Sequence, residues 1–184
     1  MEKTVRERFV EILNDRIPLK DLRVFEPGCG DGVFTEQLAL VAKTVMAVDG
    51  RAENLRKASA KTHHLLNVQL DQGDVESTNF QREYDVVFHV GLLYHLADPV
   101  AHLKQMFRIA RRAVFLDTHH APRGASTSRH ENVKMPREGM RPISVWLPLN
   151  EIIAIAGECG FLVEIVNQRE ERNGPRATLL CTRK

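Results

Sequence analysis

Five short apolar stretches alternate with segments whose apolar residues return at helical spacing, and this alternation restricts the fold more than any other feature of the chain. The stretches are LRVFE (22–26), TVMAVD (44–49), LLNVQLDQGD (65–74, a strand with a polar exit), YDVVFHV (84–90) and RAVFLDT (112–118). The helical patterns are TVRERFVEILNDR (4–16), with Val5, Phe9, Ile12 and Leu13 on one stripe before Pro18, then GVFTEQLALVAK (32–43), RAENLRKASAKT (51–62) and DPVAHLKQMFRIA (98–110) with Pro99 in its first turn. YDVVFHV is apolar at successive positions, which predicts burial on both faces. Strands alternating with helices predict a parallel sheet covered on both sides, joined by right-handed crossovers. After residue 118 the pattern breaks. Residues 119–144 carry Pro, Gly, Ser and basic residues without a period and read as a lid over a substrate site. LNEIIAIAGECGF (149–161) then reads as a helix ended by Gly160, FLVEIVNQ (161–168) as a strand and RATLLCTR (176–183) as the last strand, with a hairpin turn at Asn173-Gly174-Pro175.

With 184 residues and a net charge of +2, the chain reads as one domain, and its charge gives no argument for a nucleic-acid partner. No apolar run approaches the roughly 20 residues of a membrane span, so no membrane partner is expected. The charged N-terminal stretch does not read as a secretory signal, which makes the cytoplasm the expected location. Cys29, Cys159 and Cys181 are odd in number and far apart, so they predict neither a disulfide framework nor a metal site.

VFEPGCGDGVF (24–34) places glycines at 28, 30 and 32, between a strand and a helix. Without Cβ atoms the backbone can take unusual dihedrals and lie close to a ligand, and open α/β sheets bind ligands over the carboxyl ends of their strands. A dinucleotide fingerprint would need a glycine at 33, where this chain has Val33. The G-K-[ST] of a phosphate loop is absent. Glu26 and Asp31 flank the loop, and no lysine or arginine occurs between Arg23 and Lys43. Such acids suit a cationic, ammonium-bearing ligand better than a pyrophosphate. Other readings stay open: the glycines could only shape a turn, Asp49 could cap the following helix, Asp74 could be a solvated loop acid, and Asp31 reads as the cap of the helix from Gly32.

VFEPGCGDG resembles the first motif of class I S-adenosylmethionine-dependent methyltransferases, an acid followed by G-x-G-x-G. The resemblance covers residues 20–118 and, more loosely, 145–184. It implies a single three-layer α/β domain over 1–184 with the Rossmann-like methyltransferase fold. The mostly parallel seven-stranded sheet would have the order 3-2-1-4-5-7-6 with the last strand antiparallel. It implies S-adenosyl-L-methionine as cofactor. Glu26, Gly28, Cys29, Gly30 and Phe34 would surround it at the loop. Asp49, with Gly50 beside it, would accept hydrogen bonds from both ribose hydroxyls. Asp74 would meet the adenine amine and Val75 its ring, while His89, Val90 and Gly91 would line the methionine end.

On the acceptor side, Tyr94 and His95 follow the fourth strand and His119 and His120 the fifth. Tyr94, His95 and His119 are the candidate catalytic residues, since methyl transfer needs alignment and, for a protonated acceptor, a base. Packing and backbone hydrogen bonding are the competing readings. No metal is expected. The position after strand four reads His89-Val90-Gly91-Leu92, without an N-P-P-Y-like tetrapeptide, and no Pro-Cys pair offers a nucleophile for pyrimidine C5. A small-molecule acceptor methylated on oxygen or nitrogen is therefore the first reading. GLLYHLADPVAHLKQM and RPISVWLPLNEIIAIAGECGF also resemble stretches of the tRNA wobble-uridine carboxymethyltransferase family, which makes an RNA acceptor the second; a cofactor-binding module without catalysis is the third. Arg123, Arg129, Lys134, Arg137 and Arg141 against Glu131 and Glu138 give the lid a basic excess suited to an anionic acceptor, or a solvated loop. Trp146 reads equally as an acceptor wall or a lid anchor. The sequence sets no oligomeric state.

Overall fold

A computed structural model describes residues 8–78, 80–81, 83–131 and 143–184. Helix α1 (Phe9–Arg16) precedes β1 (Arg23–Pro27), α2 (Val33–Ala39), β2 (Thr44–Asp49), α3 (Ala52–Thr62), β3 (Val68–Gln72) and β4 (Tyr84–Val90). A single 3-10 turn (Leu93–His95) leads to α4 (Pro99–Ile109), β5 (Ala110–His119), β6 (Ser128–Glu131), β7 (Ile143–Trp146), α5 (Leu149–Glu158), β8 (Phe161–Glu171) and β9 (Gly174–Arg183). Seven strands form one sheet in the order β3-β2-β1-β4-β5-β9-β8. β1 to β5 run parallel, and β9 pairs antiparallel with both β5 and β8. This is the expected order and the expected reversed strand.

Two apolar cores follow from the strand period of two. Val86 and Phe88 of β4 join Phe9, Leu13 and Leu38 on the α1–α3 side, while Val87 joins Leu103, Met106, Phe107 and Ile152 on the α4–α5 side. β4 is thus buried on both faces, as its unbroken apolar run requires. Asp98 caps α4 by accepting from Ala101 N–H at 3.0 Å, with Pro99 at the first position.

Three expectations need correction. α2 is shorter than the 32–43 pattern and ends at Ala39. Lys43 N–H bonds to Leu22 C=O at 3.0 Å, so the chain must leave the helix early to enter β2 beside β1, and Leu40 is left 71% exposed. β5 runs to His119, so that residue belongs to the strand and not to the segment after it. The stretch read as an aperiodic lid holds a two-stranded ribbon: β6 and β7 pair antiparallel, Ser128 opposite Trp146, tied to the domain by Val145 N–H to Leu96 C=O at 3.0 Å. Four-residue strands are too short to give a readable period. Residues 132–142 of the proposed lid, with Lys134, Arg137, Glu138 and Arg141, lie outside the described residues, as does Val5. No described helix is long and apolar enough to cross a membrane.

Candidate active site

β1 delivers the chain to three left-handed glycines, with φ of 69° at Gly28, 57° at Gly30 and 81° at Gly32. Side chains rarely adopt this conformation, but each missing Cβ also serves a different neighbour. A Cβ on Gly32 would stand 2.7 Å from the Cα of Ala58 in α3, so this glycine exists for the α2–α3 contact. A Cβ on Gly28 would press on the Leu92 side chain at 3.0 Å. A Cβ on Gly30 would meet nothing within 4 Å. Only the middle glycine opens onto free space, and that space is a cavity of about 470 Å³ lined by Glu26, Gly28, Cys29, Gly30, Phe34 and Val90 among others. Its size falls in the range of small-molecule sites. The cap position of α2 falls on Gly32 itself; Asp31 instead pairs with Lys61 of α3 at 2.6 Å.

The cavity floor is acidic. Glu26 is buried and accepts from the Thr35 hydroxyl at 2.6 Å. Burial pushes its carboxyl up to about 8, the Thr35 bond works against this, and Asp49 adds to it. Burial, helped by Glu26 and Asp49, likewise drives the Cys29 thiol well above its ordinary value, which leaves it inert as a nucleophile. Asp49 ends β2 and ties the loop down: Oδ2 accepts from Gly30 N–H at 2.9 Å, and Oδ1 accepts from Arg51 N–H at 2.9 Å and from Asn54 Nδ2 at 3.1 Å. A carboxylate offers about four acceptor positions, and these bonds use three. A ligand with two neighbouring hydroxyls can take the remaining one on Oδ2 directly, and gains a second when the longer Asn54 bond gives way.

Asp74 and Gly50 stand at the adjoining strand ends. The Asp74 carboxylate accepts from Glu76 N–H at 3.0 Å and the Ser77 hydroxyl at 2.7 Å, closing its own turn. Gly50 C=O accepts from Gln72 Nε2 at 3.3 Å. Val75 packs with the α4-side core, and its carbonyl meets His102 Nδ1 at 3.3 Å. His89 departs from expectation. Strand parity turns its ring with Val87 toward α4, away from Val90, so the imidazole does not line the glycine-loop cavity. His89 Nε2 lies 3.0 Å from His102 Nε2. With Nδ1–H of His102 donated to Val75, its Nε2 accepts from His89. Burial holds both rings neutral, His89 far below its ordinary value and His102 at about 4.

The three catalytic candidates do come together. Tyr94 lies against His95, with ring centres 4.1 Å apart, and edge-on to His119 at 4.8 Å, while Trp146 stacks on His119 at 5.0 Å. His119 is committed elsewhere: Nδ1 faces Pro175 C=O at 3.3 Å and Nε2 faces Glu171 at 3.6 Å. Burial and the Arg176 charge hold His119 below its ordinary value. The His95 ring has no hydrogen bond among the described residues. Burial, then Arg176, His119 and Arg51, lower it to about 4, so at neutral pH it is an unprotonated imidazole.

Sequence reasoning missed the charged cluster beneath these rings. Asp117 is fully buried at the end of β5 and accepts from Arg176 Nε at 2.6 Å, Arg169 Nη2 at 3.0 Å and the Thr178 hydroxyl at 2.7 Å. Glu171 accepts from Arg169 Nε at 2.8 Å, balancing two carboxylates against two guanidinium groups. A usable signal was the single charge, Arg176, opening the run RATLLC, in which Thr178 is the one other polar residue.

Residues 25–116, half of the chain, match the Methyltransferase domain family, and the chain belongs to that family. The ubiquinone biosynthesis O-methyltransferase of Caulobacter sp. (strain K31) is 33% identical over 98 residues, 50% of this chain and 38% of that protein. The enzyme of the same name from Pseudomonas savastanoi pv. phaseolicola is 29% identical over 107 residues, 55% of this chain and 45% of that protein. The match thus spans less than half the length of these relatives. Among solved structures, the N-terminal domain of EvdMO1 with SAH bound has a TM-score of 0.85 at 25% identity, covering 100% of this chain and 83% of that one. Magnesium protoporphyrin IX methyltransferase (ChlM) from Synechocystis PCC 6803 with bound SAM shares the fold, with a TM-score of 0.75 at 19% identity over 97% of this chain and 77% of that one.

Proposed function

We propose that the chain is an S-adenosylmethionine-dependent methyltransferase acting on an oxygen or nitrogen of a small molecule. The observation that carries this is Gly30, whose bare backbone opens on the cavity while its N–H is held by Asp49. In this reading Asp49 grips the ribose hydroxyls, with Gly50 at its side. Asp74 and Val75 serve the adenine end. Glu26, Gly28, Cys29, Gly30, Phe34 and Val90 enclose the methionine end, with His89 contributing only its main chain. A buried acid such as Glu26 favours the ligand's positive charge. When bound, S-adenosylmethionine supplies an electrophilic methyl group on a sulfonium sulfur, which leaves as a neutral thioether. The chain's part is alignment and, for a hydroxyl acceptor, taking up the proton at a ring nitrogen of His95, with Tyr94 and His119 shaping the approach.

The test is calorimetry with S-adenosylhomocysteine. The wild type is expected to bind at micromolar concentration, and Asp49→Ala to lose at least tenfold in affinity. Absence of heat in the wild type removes the proposal. The GLLYH stretch keeps an RNA acceptor as the second reading; salt-sensitive retention of bulk tRNA in a gel shift supports it, and no shift at low salt removes it. The ubiquinone-pathway enzymes favour a small acceptor.

A further inference from the structure

Helix α4 and the loop that follows β3 hold each other from both sides. From α4, His102 Nδ1 donates to Val75 C=O at 3.3 Å, Gln105 Nε2 to Thr78 C=O at 3.0 Å and Arg108 Nη2 to Phe80 C=O at 2.9 Å. These donors recur every third residue, so they share one side of the helix. In the other direction, Glu76 Oε1 accepts from both Ala97 N–H and Asp98 N–H at 2.8 Å, on the main chain just before α4. The helix is the firm partner: Leu103, Met106 and Phe107 are fully buried, and the His102 ring is also bonded by His89 at 3.0 Å. The loop is packed only at its ends, where Val75 and Phe80 join the α4-side core. Between them Glu76, Ser77 and Thr78 line one side of a cavity of about 430 Å³, with Ala101, His102 and Arg108 on the other. Dispersion contacts are lost across such a gap, so hydrogen bonds set where this part of the loop lies. The same residues orient Asp74, whose carboxylate accepts from Glu76 N–H at 3.0 Å and the Ser77 hydroxyl at 2.7 Å. Glu76 is therefore the middle link, with its side chain fastened ahead of α4 and its main chain fastened to Asp74.

We propose that Glu76 and Gln105 are positioning residues for the cofactor's base: by fixing the loop against α4 they aim the Asp74 carboxylate, and so set the preference for a base with an exocyclic amine. This rests on the methyltransferase reading above. An amine N–H donates to a carboxylate, whereas a carbonyl in the same place has nothing to donate. Such a bond weakens steeply as its angle departs from linear, so a loop free to shift loses the distinction. Neither residue needs to touch the ligand. Both can be truncated without disturbing the buried His89–His102 pair.

The test compares S-adenosylhomocysteine with S-inosylhomocysteine, which carries a carbonyl in place of the amine, by calorimetry on the whole chain. The wild type is expected to prefer the adenosyl compound at least tenfold. Glu76→Ala and Gln105→Ala should each cut that preference to about threefold or less through weaker adenosyl binding, with affinity for the inosyl compound within about twofold of wild type. Glu76→Gln, whose amide oxygen still accepts from Ala97 and Asp98, should keep the preference. If Glu76→Ala does not fold, Gln105→Ala carries the comparison. A purely structural part for these residues would lower the melting temperature and weaken both ligands alike, leaving the ratio at its wild-type value, and that result overturns the proposal. So does a wild type that binds the two compounds equally, or a Glu76→Gln variant that loses the preference. Failure of the wild type to take up S-adenosylhomocysteine at all is the separate failure of the methyltransferase reading.

Discussion

Replacing Gly30 or Gly32 by alanine separates binding from folding within a single loop. Both glycines have left-handed backbones, a conformation that costs an ordinary residue about 1–2 kcal/mol. At Gly32 the new methyl group also meets the main chain of Ala58, which cannot swing aside. Gly32→Ala is expected to lose about 3 kcal/mol in urea unfolding, strain and overpacking together. Gly30→Ala should lose about 1 kcal/mol, yet fall at least tenfold in S-adenosylhomocysteine affinity, because its methyl group projects into the ligand's space. The sequence marked all three glycines alike. Their spacing announces a bent backbone but not what stands opposite each one, since Ala58 and Leu92 arrive from distant parts of the chain.

At the scale of elements, β9 carries both the last pairing of the sheet and the charged floor of the acceptor side. Asp117→Ala would leave Arg169 and Arg176 without their shared buried partner. Breaking a buried pair from one side costs about 3–5 kcal/mol, and denaturant unfolding should show a loss of that size, with Asp117→Asn losing less. The strand order came from the resemblance to class I methyltransferases, whereas the sequence of strands and helices was legible because alternation, apolar runs and a glycine turn act locally. The β6–β7 ribbon was not, because four residues a side leave no period. Nor was the turn of His89 into the α4 core. Its place on β4 was readable, but which face the odd and even positions take depends on helices packed later in the chain. Tyr94, His95 and His119 were legible as neighbours of strand ends; the Arg176–Asp117 pair was not, because it joins residues 59 positions apart.

For the whole molecule, Glu26 ties stability to pH. Its carboxyl is raised from an ordinary value of 4.5 to about 8 in the folded chain, so the fold favours the protonated acid. That contribution is complete below about pH 4.5 and is lost as pH rises through about 8, with a slope of at most about 1.4 kcal/mol per pH unit. Between pH 7 and 8.5, above the range in which the buried histidines His89, His95, His102 and His119 act in the opposite sense, the ligand-free protein should therefore melt at falling temperature, and Glu26→Gln should flatten this trend. If a cation sits over Glu26, S-adenosylhomocysteine with its ammonium group should expel the proton at pH 7. Its binding heat would then differ between phosphate and Tris buffers, and the variant should remove that difference.

The locking of Gly32 against α3, together with the hold of Asp49 on the Gly30 amide, has a kinetic consequence. The loop is already bent in the empty protein, with little of its shape left for a ligand to impose. Entry of the ligand then resembles filling a mould, and association should proceed in one phase, without a slow rearrangement after first contact.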